Sequence, residues 1–228
     1  MDLQYLGHSA FHLNLADVSL VIDPFLTSNP VCPAGTKDAL PKLDMVLLTH
    51  GHFDHVEDAV ALATKNDAVL VANFEVCGWA QREGVAEDKC QPMNPGGQIE
   101  VGPLSIAMTN ALHSSSTPDG AYGGTPGGLV IKGAGKSIYH AGDTDLFSDM
   151  ALIQKLHAPQ IGLIPIGDRF TMGPENAAEA CNSYLDLETI VPIHWGTFPL
   201  LTGKPDTFKG LVKRGEVKIL QPGERLSA

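Results

Sequence analysis

The chain has 228 residues, of which 43% are apolar, so it is long enough to bury a large hydrophobic core. Its formal net charge is −11. No apolar run approaches the roughly 18 residues of a membrane span, and the first residues lack the basic start and long apolar segment of a signal peptide. The acidic surface would repel nucleic acid. We therefore expect a small-molecule substrate and no membrane partner, and the oligomeric state stays open.

The cysteines indicate the cellular compartment. Cys32, Cys77, Cys90 and Cys181 are widely spaced and form no C-x-x-C pair. This spacing is typical of buried or idle thiols in a reducing environment rather than of a disulfide framework. Together with the missing signal-peptide pattern, it predicts a cytoplasmic protein.

The predicted elements alternate between strands and helices along the chain. Strands are predicted at 3–15 (around a glycine bend), 18–24, 44–49, 68–72, 98–102, 103–111, 127–133, 136–142, 161–167, 189–195 and 217–221, and helices at 56–66, 73–84, 145–157, 173–186 and 205–215. The strands form two clusters, each followed by helices, which predicts two sheets packed face to face with helices outside. No linker-like seam divides the chain, so we predict one domain over 1–228, with the glycine-rich stretch 117–128 as a loop over a site.

A dense group of metal-ligand side chains follows the predicted strand 44–49. His50, His52, Asp54 and His55 lie within the six consecutive positions 50–55. In an extended segment His50 and His52 project to the same side, and the turn into the next helix re-aims Asp54 and His55. Imidazole and carboxylate are the ligands that zinc and its first-row neighbours prefer. Helix capping needs one such residue rather than four, so the group favours a site for two metals.

Further candidate ligands stand at the ends of later strands. His113 follows the strand 103–111, Asp143 follows the strand 136–142, and His194 ends the apolar run of the strand 189–195. Each follows a strongly apolar run, which would aim a residue distant in sequence into a shared site. Any one of them alone would be an ordinary polar residue, but together they supply the ligands that a second metal needs.

The order H-x-H-x-D-H at 50–55, followed by His113, Asp143 and His194, resembles the metallo-β-lactamase superfamily over nearly the whole chain. The segments LGHSAF, IDPFLTSNP, YHAGDTD and PIGDRFTMGPENAAEA look like the uncharacterised metal-dependent hydrolases close to ascorbate-6-phosphate lactonase. The resemblance implies an α/β fold, an αββα four-layer sandwich of two mixed sheets flanked by helices, with the site along one edge of the sheets.

The resemblance also implies a set of ligands. It places Asp23 behind the ligand loop, where a carboxylate orders the ligands without binding metal. One metal would be held by His50, His52 and His113 and the other by Asp54, His55 and His194, with Asp143 bridging the two.

Other polar residues are candidates for substrate contacts or for support of the ligands. His8 at the glycine bend and His140 before the Asp143 turn could face the site, or each could be hydrogen-bonded within a sheet. Arg169 and Thr171 lie between an apolar strand and a predicted helix N-terminus, an arrangement that suits an anionic group. The alternative for Arg169 is an ion pair with Asp168.

These residues predict a metal-dependent hydrolase. We expect a hydroxide bridged between two divalent metals to attack a small ester, lactone or phosphoester, with Asp54 orienting the hydroxide and accepting its proton. Zinc is the first expectation, and manganese, nickel or iron also suit these donors. Two alternatives stay open: a metal-dependent nuclease or phosphodiesterase acting on short RNA, which the acidic charge opposes, and a non-catalytic metal-binding protein, in which Asp54 would be expendable.

Overall fold

Two seven-stranded sheets form the centre of the computed structural model, which describes residues 1–227; residue 228, the last of the predicted domain, lies outside the described residues. In chain order the strands are β1 (Asp2–Gly7), β2 (Ala10–Leu15), β3 (Val18–Ile22), β4 (Met45–Leu47), β5 (Val69–Asn73), β6 (Cys90–Met93), β7 (Gln98–Val101), β8 (Leu104–Asn110), β9 (Gly127–Gly133), β10 (Lys136–His140), β11 (Ile161–Pro165), β12 (Thr189–Ile193), β13 (Glu216–Val217) and β14 (Arg225–Ser227). The strand orders are β14-β1-β2-β3-β4-β5-β6 and β13-β12-β11-β10-β9-β8-β7.

Both sheets combine antiparallel and parallel pairing. In the first sheet β14, β1, β2 and β3 pair antiparallel, whereas β3 to β6 pair parallel. In the second sheet β7 to β10 pair antiparallel and β10 to β13 pair parallel. Within each sheet, parallel neighbours and every second antiparallel strand run in the same direction. The carboxyl ends of β1, β3 and β4 therefore share one edge of the first sheet, and those of β8, β10, β11 and β12 share one edge of the second.

Helices cover the outer faces of both sheets. They are α1 (Thr36–Ala39), α2 (Phe53–Val56), α3 (Ala59–Asn66), α4 (Phe74–Arg82), α5 (Met150–His157), α6 (Pro174–Glu179) and α7 (Pro205–Leu211), with a 3-10 turn at Glu87–Lys89 and a π-helical turn at Ala180–Tyr184. Within residues 1–227 no helix is both long and apolar enough to cross a membrane. The four cysteines are free thiols.

The core has three apolar layers. Side chains such as Phe11 and Leu163 fill the space between the two sheets. Trp79 of α4 belongs to the layer outside the first sheet, and Phe208 of α7 belongs to the layer outside the second sheet. Burying each large apolar side chain contributes about 1.5–3 kcal/mol. The layers follow the order helix, sheet, sheet, helix, which confirms the predicted αββα sandwich.

The boundaries of several predicted elements differ in the structure. The predicted helix 56–66 is interrupted between α2 and α3, because the Asp58 N–H donates to the Pro24 carbonyl at 3.0 Å instead of to a carbonyl of the preceding helical turn. The helix predicted at 145–157 begins only at Met150. The residues before it form a turn, in which the Asp145 N–H donates to the Leu112 carbonyl at 3.1 Å. The helices predicted at 173–186 and 205–215 are shorter in the structure, and the strand predicted at 217–221 is replaced by the two-residue strand β13. The strands β6 and β14 were not predicted.

Candidate metal centre

The first group of candidate ligands contains His50, His52 and His113. Each offers one ring nitrogen, and these three atoms lie within 4.8 Å of one another. His50 Nε2 and His52 Nδ1 are 3.0 Å apart, and the ring centroids of His52 and His113 are 5.1 Å apart. The segment after β4 thus meets the segment after β8, although 56 residues of chain lie between the two strands. The three nitrogens are close enough together to share one cation.

The second group contains Asp54, His55 and His194, and the structure adds His8 to it. Each of these four residues offers one potential metal-ligand atom, and the four atoms lie within 4.8 Å of one another. Asp54 Oδ2 is 3.8 Å from His194 Nε2 and 3.0 Å from His8 Nε2. Six of the seven residues predicted as ligands therefore lie in these two groups, and their roles as ligands stay predictions.

Asp143 lies between the two groups. Its Oδ2 is 3.1 Å from His194 Nε2 and 3.5 Å from His113 Nε2, and its Oδ1 is 3.4 Å from His55 Nε2. Asp143 Oδ1 and His55 Nε2 are both buried without a hydrogen-bond partner. Buried polar atoms are rarely left unsatisfied, and a cation between these two atoms would satisfy both. The residues fit a pair of divalent metal ions with Asp143 shared between them.

The charges around the site also favour cations. Burial lowers the pKa of His55, but the carboxylates of Asp143 and Asp23 outweigh burial and raise that pKa well above its usual range. The site therefore stabilises positive charge at this position, which a divalent metal would supply. Burial, together with the neighbouring His55, holds the pKa of His50 well below its usual range. His50 is neutral and offers a free nitrogen lone pair.

Asp23 and Thr49 orient the ligands from behind. Asp23 Oδ2 accepts a hydrogen bond from His55 Nδ1 at 2.8 Å, which leaves His55 Nε2 facing Asp143. The same carboxylate accepts the N–H and the hydroxyl of Thr49 at 2.8 and 2.7 Å. The Thr49 hydroxyl oxygen lies 3.0 Å from His50 Nδ1 and can accept its proton. One buried carboxylate thereby orients a histidine of each group, the arrangement that metal sites use to fix the ligating nitrogen.

His8 connects Asp54 to a residue that the sequence did not indicate. His8 Nδ1 lies 2.9 Å from the Thr197 hydroxyl, and Nε2 lies 3.0 Å from Asp54 Oδ2. Burial, followed by the nearby His194, lowers the pKa of His8 to about 4. Neutral His8 therefore accepts from Thr197 and donates to Asp54. Burial of Asp54 raises the pKa of its carboxyl, but His8 and His55 outweigh burial and hold that pKa below its usual range.

Three buried residues of the site adopt left-handed backbone conformations. The φ angles of His8, Asp23 and His194 are 59°, 45° and 56°. A left-handed conformation costs a residue with a Cβ about 1–3 kcal/mol, and it persists only where contacts with the surrounding structure hold the backbone in place. The surroundings here include a 2.8 Å hydrogen bond from the His194 N–H to the His8 carbonyl, which joins the two sheets at the site.

The remaining predicted residues lie around the ligands. His140 Nε2 donates to the Ser9 carbonyl at 2.9 Å, and its Nδ1 accepts the Gly142 N–H at 3.1 Å, so His140 shapes the turn that carries Asp143. Arg169 is exposed and Thr171 is half-buried. Within residues 1–227 neither side chain hydrogen-bonds to a candidate ligand, and the supporting or substrate-binding roles predicted for all three stay predictions.

The loop that carries Arg169 is nevertheless attached to ligand segments. The Met172 N–H donates to the Thr144 carbonyl, next to Asp143. The Asp168 carboxylate accepts a hydrogen bond from Thr202 at 3.2 Å. The described residues contain no Arg169–Asp168 ion pair; the exposed guanidinium of Arg169 lies 5.7 Å from the centroid of the neighbouring Phe170 ring.

Ser115 is a further residue that sequence reasoning missed. Its hydroxyl oxygen accepts a hydrogen bond from the Gly51 N–H at 3.1 Å. The same hydroxyl donates to the Gly123 carbonyl at 2.8 Å. A Cβ at Gly51 would lie 2.9 Å from the Ser116 carbonyl oxygen, so the close approach requires glycine. Ser115 and Ser116 therefore support the backbone between His50 and His52 from the side, and the Ser115 hydrogen bond to Gly123 attaches them to the glycine-rich loop. No local pattern distinguishes Ser115 or Thr197 from ordinary loop residues.

Comparison with known families gives a match that spans the site. The model of the β-lactamase superfamily domain matches residues 19–195, a range that includes all seven candidate ligands but excludes His8. A UPF0173 metal-dependent hydrolase of Sinorhizobium medicae is 49% identical over 214 residues, which cover 91% of each chain. A protein of the same name from Desulforamulus reducens is 45% identical over an alignment 233 residues long, which covers 99% of each chain.

Solved structures show the same fold. Igni18, a metallo hydrolase from the archaeon Ignicoccus hospitalis, superposes with a TM-score of 0.87 at 36% identity, covering 99% of this chain and 97% of that chain. An isothiocyanate hydrolase from Delia radicum gut bacteria superposes with a TM-score of 0.80 over 100% of this chain and 99% of that chain. Its identity is 21%, so this likeness concerns the fold alone.

Proposed function

The chain belongs to the UPF0173 metal-dependent hydrolases of the β-lactamase superfamily, and we propose that it hydrolyses a small ester, lactone or phosphoester with two divalent metal ions. One observation carries the proposal: the Asp143 carboxylate contacts members of both ligand groups at 3.1–3.5 Å, and one of its oxygens is buried without a hydrogen-bond partner. A single tetrahedral metal would leave several of the seven converging side chains without a role.

The proposed metals are assigned to the two groups of side chains. His50, His52 and His113 would hold one ion, Asp54, His55 and His194 the other, and Asp143 both. When bound, such ions acidify a water molecule and polarise an oxygen of the substrate. We propose zinc, because imidazole and carboxylate ligands suit it, and these donors also accept manganese, nickel or iron.

Asp54 is the proposed proton acceptor. Its side chain is 27% exposed, whereas those of His55 and Asp143 are 0% and 3% exposed. Its lowered pKa keeps the carboxylate ionised at neutral pH, and the hydrogen bond from His8 holds one oxygen in place. The ionised and fixed carboxylate supports orientation of the attacking water. Its exposure lets it also receive the proton, although a lowered pKa makes it a weak base. Asp23 and Thr49 keep the histidines in position.

The test combines metal analysis with a substrate screen. Protein reconstituted with zinc should retain two equivalents per chain and hydrolyse at least one class among esters, lactones, thioesters, phosphodiesters and β-lactams. Asp54→Asn should fold and, at matched metal content, lose most of this activity, since an amide accepts no proton. A ceiling of one metal would leave a mononuclear site. Wild-type rates in the metal-loaded variant would remove the role of Asp54.

The same screen separates the alternative functions. Cleavage of short RNA with manganese, and of nothing else, would indicate a nuclease; the net charge of −11 argues against it. Two bound metals without hydrolysis of any substrate would indicate a metal-binding protein without turnover. We propose a small-molecule substrate, because no basic cluster in the sequence offsets the acidic charge.

A further inference from the structure

Three phenylalanines form an aromatic wall (Phe25, Phe53 and Phe198) beside the second ligand group. The Phe25 ring centroid lies 5.7 Å from that of Phe53 and 6.1 Å from that of Phe198. The His8 ring lies 5.7 Å from Phe25 and 5.6 Å from Phe198. Since His8 also contacts Asp54 at 3.0 Å, the aromatic wall adjoins the proposed proton acceptor.

The two outer rings of the wall face solvent while the central ring does not. Phe25 is 1% exposed, whereas Phe53 and Phe198 are 49% and 36% exposed. Isolated exposed phenylalanines are ordinary on protein surfaces. These two differ because a buried third ring joins them and because ligand segments carry them: Phe53 stands between His52 and Asp54, and Phe198 follows His194 by four residues. Their apolar surface is thus held next to the candidate metal centre.

We propose that the aromatic wall binds an apolar group of the substrate, an alkyl chain or an aromatic ring next to the bond that is cleaved. This inference rests on the proposed function and narrows its substrate class. Covering Phe53 and Phe198 would remove apolar surface from water, which is favourable in proportion to the area covered. It would also exclude water beside Asp54, where a lower local dielectric strengthens electrostatic interactions.

The experiment uses two hydroxamic acids that share a metal-binding head and differ only in the tail. Acetohydroxamate and hexanohydroxamate are titrated by calorimetry into the zinc-loaded full chain, so that the readout is binding rather than turnover. Complete burial of one methylene strengthens binding about fourfold. Contact with a wall on one side should give about half of that free energy, or about twofold per methylene. Hexanohydroxamate, with four more methylenes, should bind roughly 15-fold more tightly.

The variants locate the effect. The double substitution of Phe53→Ala and Phe198→Ala should reduce the affinity ratio of the two hydroxamates to about threefold or less, with little change for acetohydroxamate. Phe198→Leu keeps an apolar side chain and should retain most of the ratio. Leu156→Ala is the control, because it removes an exposed apolar side chain from the last turn of α5, near the edge of the sheet opposite the ligands. It should leave the affinity ratio of the two hydroxamates unchanged.

The outcomes distinguish this inference from the proposed function. Equal binding of the two hydroxamates to the wild type, or a ratio that the double variant preserves, overturns the apolar subsite and leaves the hydrolase proposal standing. Failure of the zinc-loaded wild type to bind either hydroxamate overturns both, because the metal centre would then not accept a substrate-like ligand. A tail-dependent affinity that the double variant abolishes supports the subsite.

Discussion

His8 Nε2 lies 3.0 Å from Asp54 Oδ2, although 46 positions separate the two residues in the sequence. The other ring nitrogen of His8, Nδ1, accepts a hydrogen bond from the Thr197 hydroxyl. The proton of the neutral ring is therefore on Nε2, which donates to the Asp54 carboxylate. His8 is fully buried and its pKa is lowered to about 4, chiefly by that burial. A neutral, fixed donor thus determines where the Asp54 carboxylate points.

Replacing His8 by phenylalanine tests this contact. His8→Phe keeps a ring in the packed position and removes both nitrogens, so Asp54 should lose its orientation. We expect the affinity for one of two zinc ions to fall about 10- to 100-fold, the usual effect of losing a group that orients a ligand. Chelator competition measures the affinity, and urea unfolding tests for a general loss of stability. Thr197→Val should give a smaller decrease. Wild-type affinity in His8→Phe would show that Asp54 needs no support from His8.

The Arg169 guanidinium is exposed and unpaired with Asp168, which makes it available to an anionic part of the substrate. Charged hydrogen bonds contribute about 1.5–3 kcal/mol, and about 1.4 kcal/mol corresponds to tenfold. Arg169→Ala should therefore lower kcat/KM for an anionic substrate about 10- to 100-fold and have little effect on a neutral analogue. Arg169→Lys, which keeps the charge, should recover part of the loss. Equal losses on both substrates, or a comparable loss of thermal stability, would make the residue structural.

Two glycines near the C-terminal part of the chain should respond oppositely to alanine. A Cβ at Gly203 would overlap the carbonyl oxygen of Ile166, whereas a Cβ at Gly210 meets nothing within 4 Å. Gly203→Ala should lower the free energy of unfolding by about 1–3 kcal/mol through overpacking. Gly210→Ala, inside α7, should raise it by about 0.5–1 kcal/mol. Urea unfolding of the two variants measures both effects, and a neutral Gly203→Ala would show that the backbone contact with Ile166 relaxes easily.

His12 should make stability depend on pH. Its Nε2 lies 2.9 Å from the Ser19 hydroxyl, and burial, with Arg225 nearby, lowers its pKa below 6.5. Below pH 6.5 the unfolded chain binds a proton at His12 before the folded protein does. The free energy of unfolding should therefore fall as pH decreases through this window, by at most about 1.4 kcal/mol per pH unit for one group.

The matched variant isolates this contribution. His12→Gln should flatten the slope of unfolding free energy against pH between pH 5 and 6.5, with wild type and variant measured at the same metal content. His157→Gln, which alters a less buried histidine, should flatten it less. An unchanged slope in His12→Gln would mean that this histidine titrates alike in the folded and unfolded chain.

Much of the fold follows from local patterns along the chain. Apolar runs such as those ending at Leu47, Pro165 and Ile193 become buried strands of two sheets, because strands covered on both faces need apolar residues throughout. Helix boundaries were predicted less well, since a tertiary hydrogen bond such as that from the Asp58 N–H to the Pro24 carbonyl can interrupt a helix that local propensity would continue.

The candidate site divides in the same way between local and distant information. The spacing of His50, His52, Asp54 and His55 indicates a metal site because covalent geometry keeps six consecutive residues together in any fold. The contacts of His8 with Asp54 and Thr197 have no such local signal: they span 46 and 189 positions. Strand direction and the packing of one sheet on the other bring these residues together, and no window of neighbouring residues encodes that packing. The identity of these four candidate ligands is therefore local information, whereas the remaining three and the orientation of all seven depend on the folded pair of sheets.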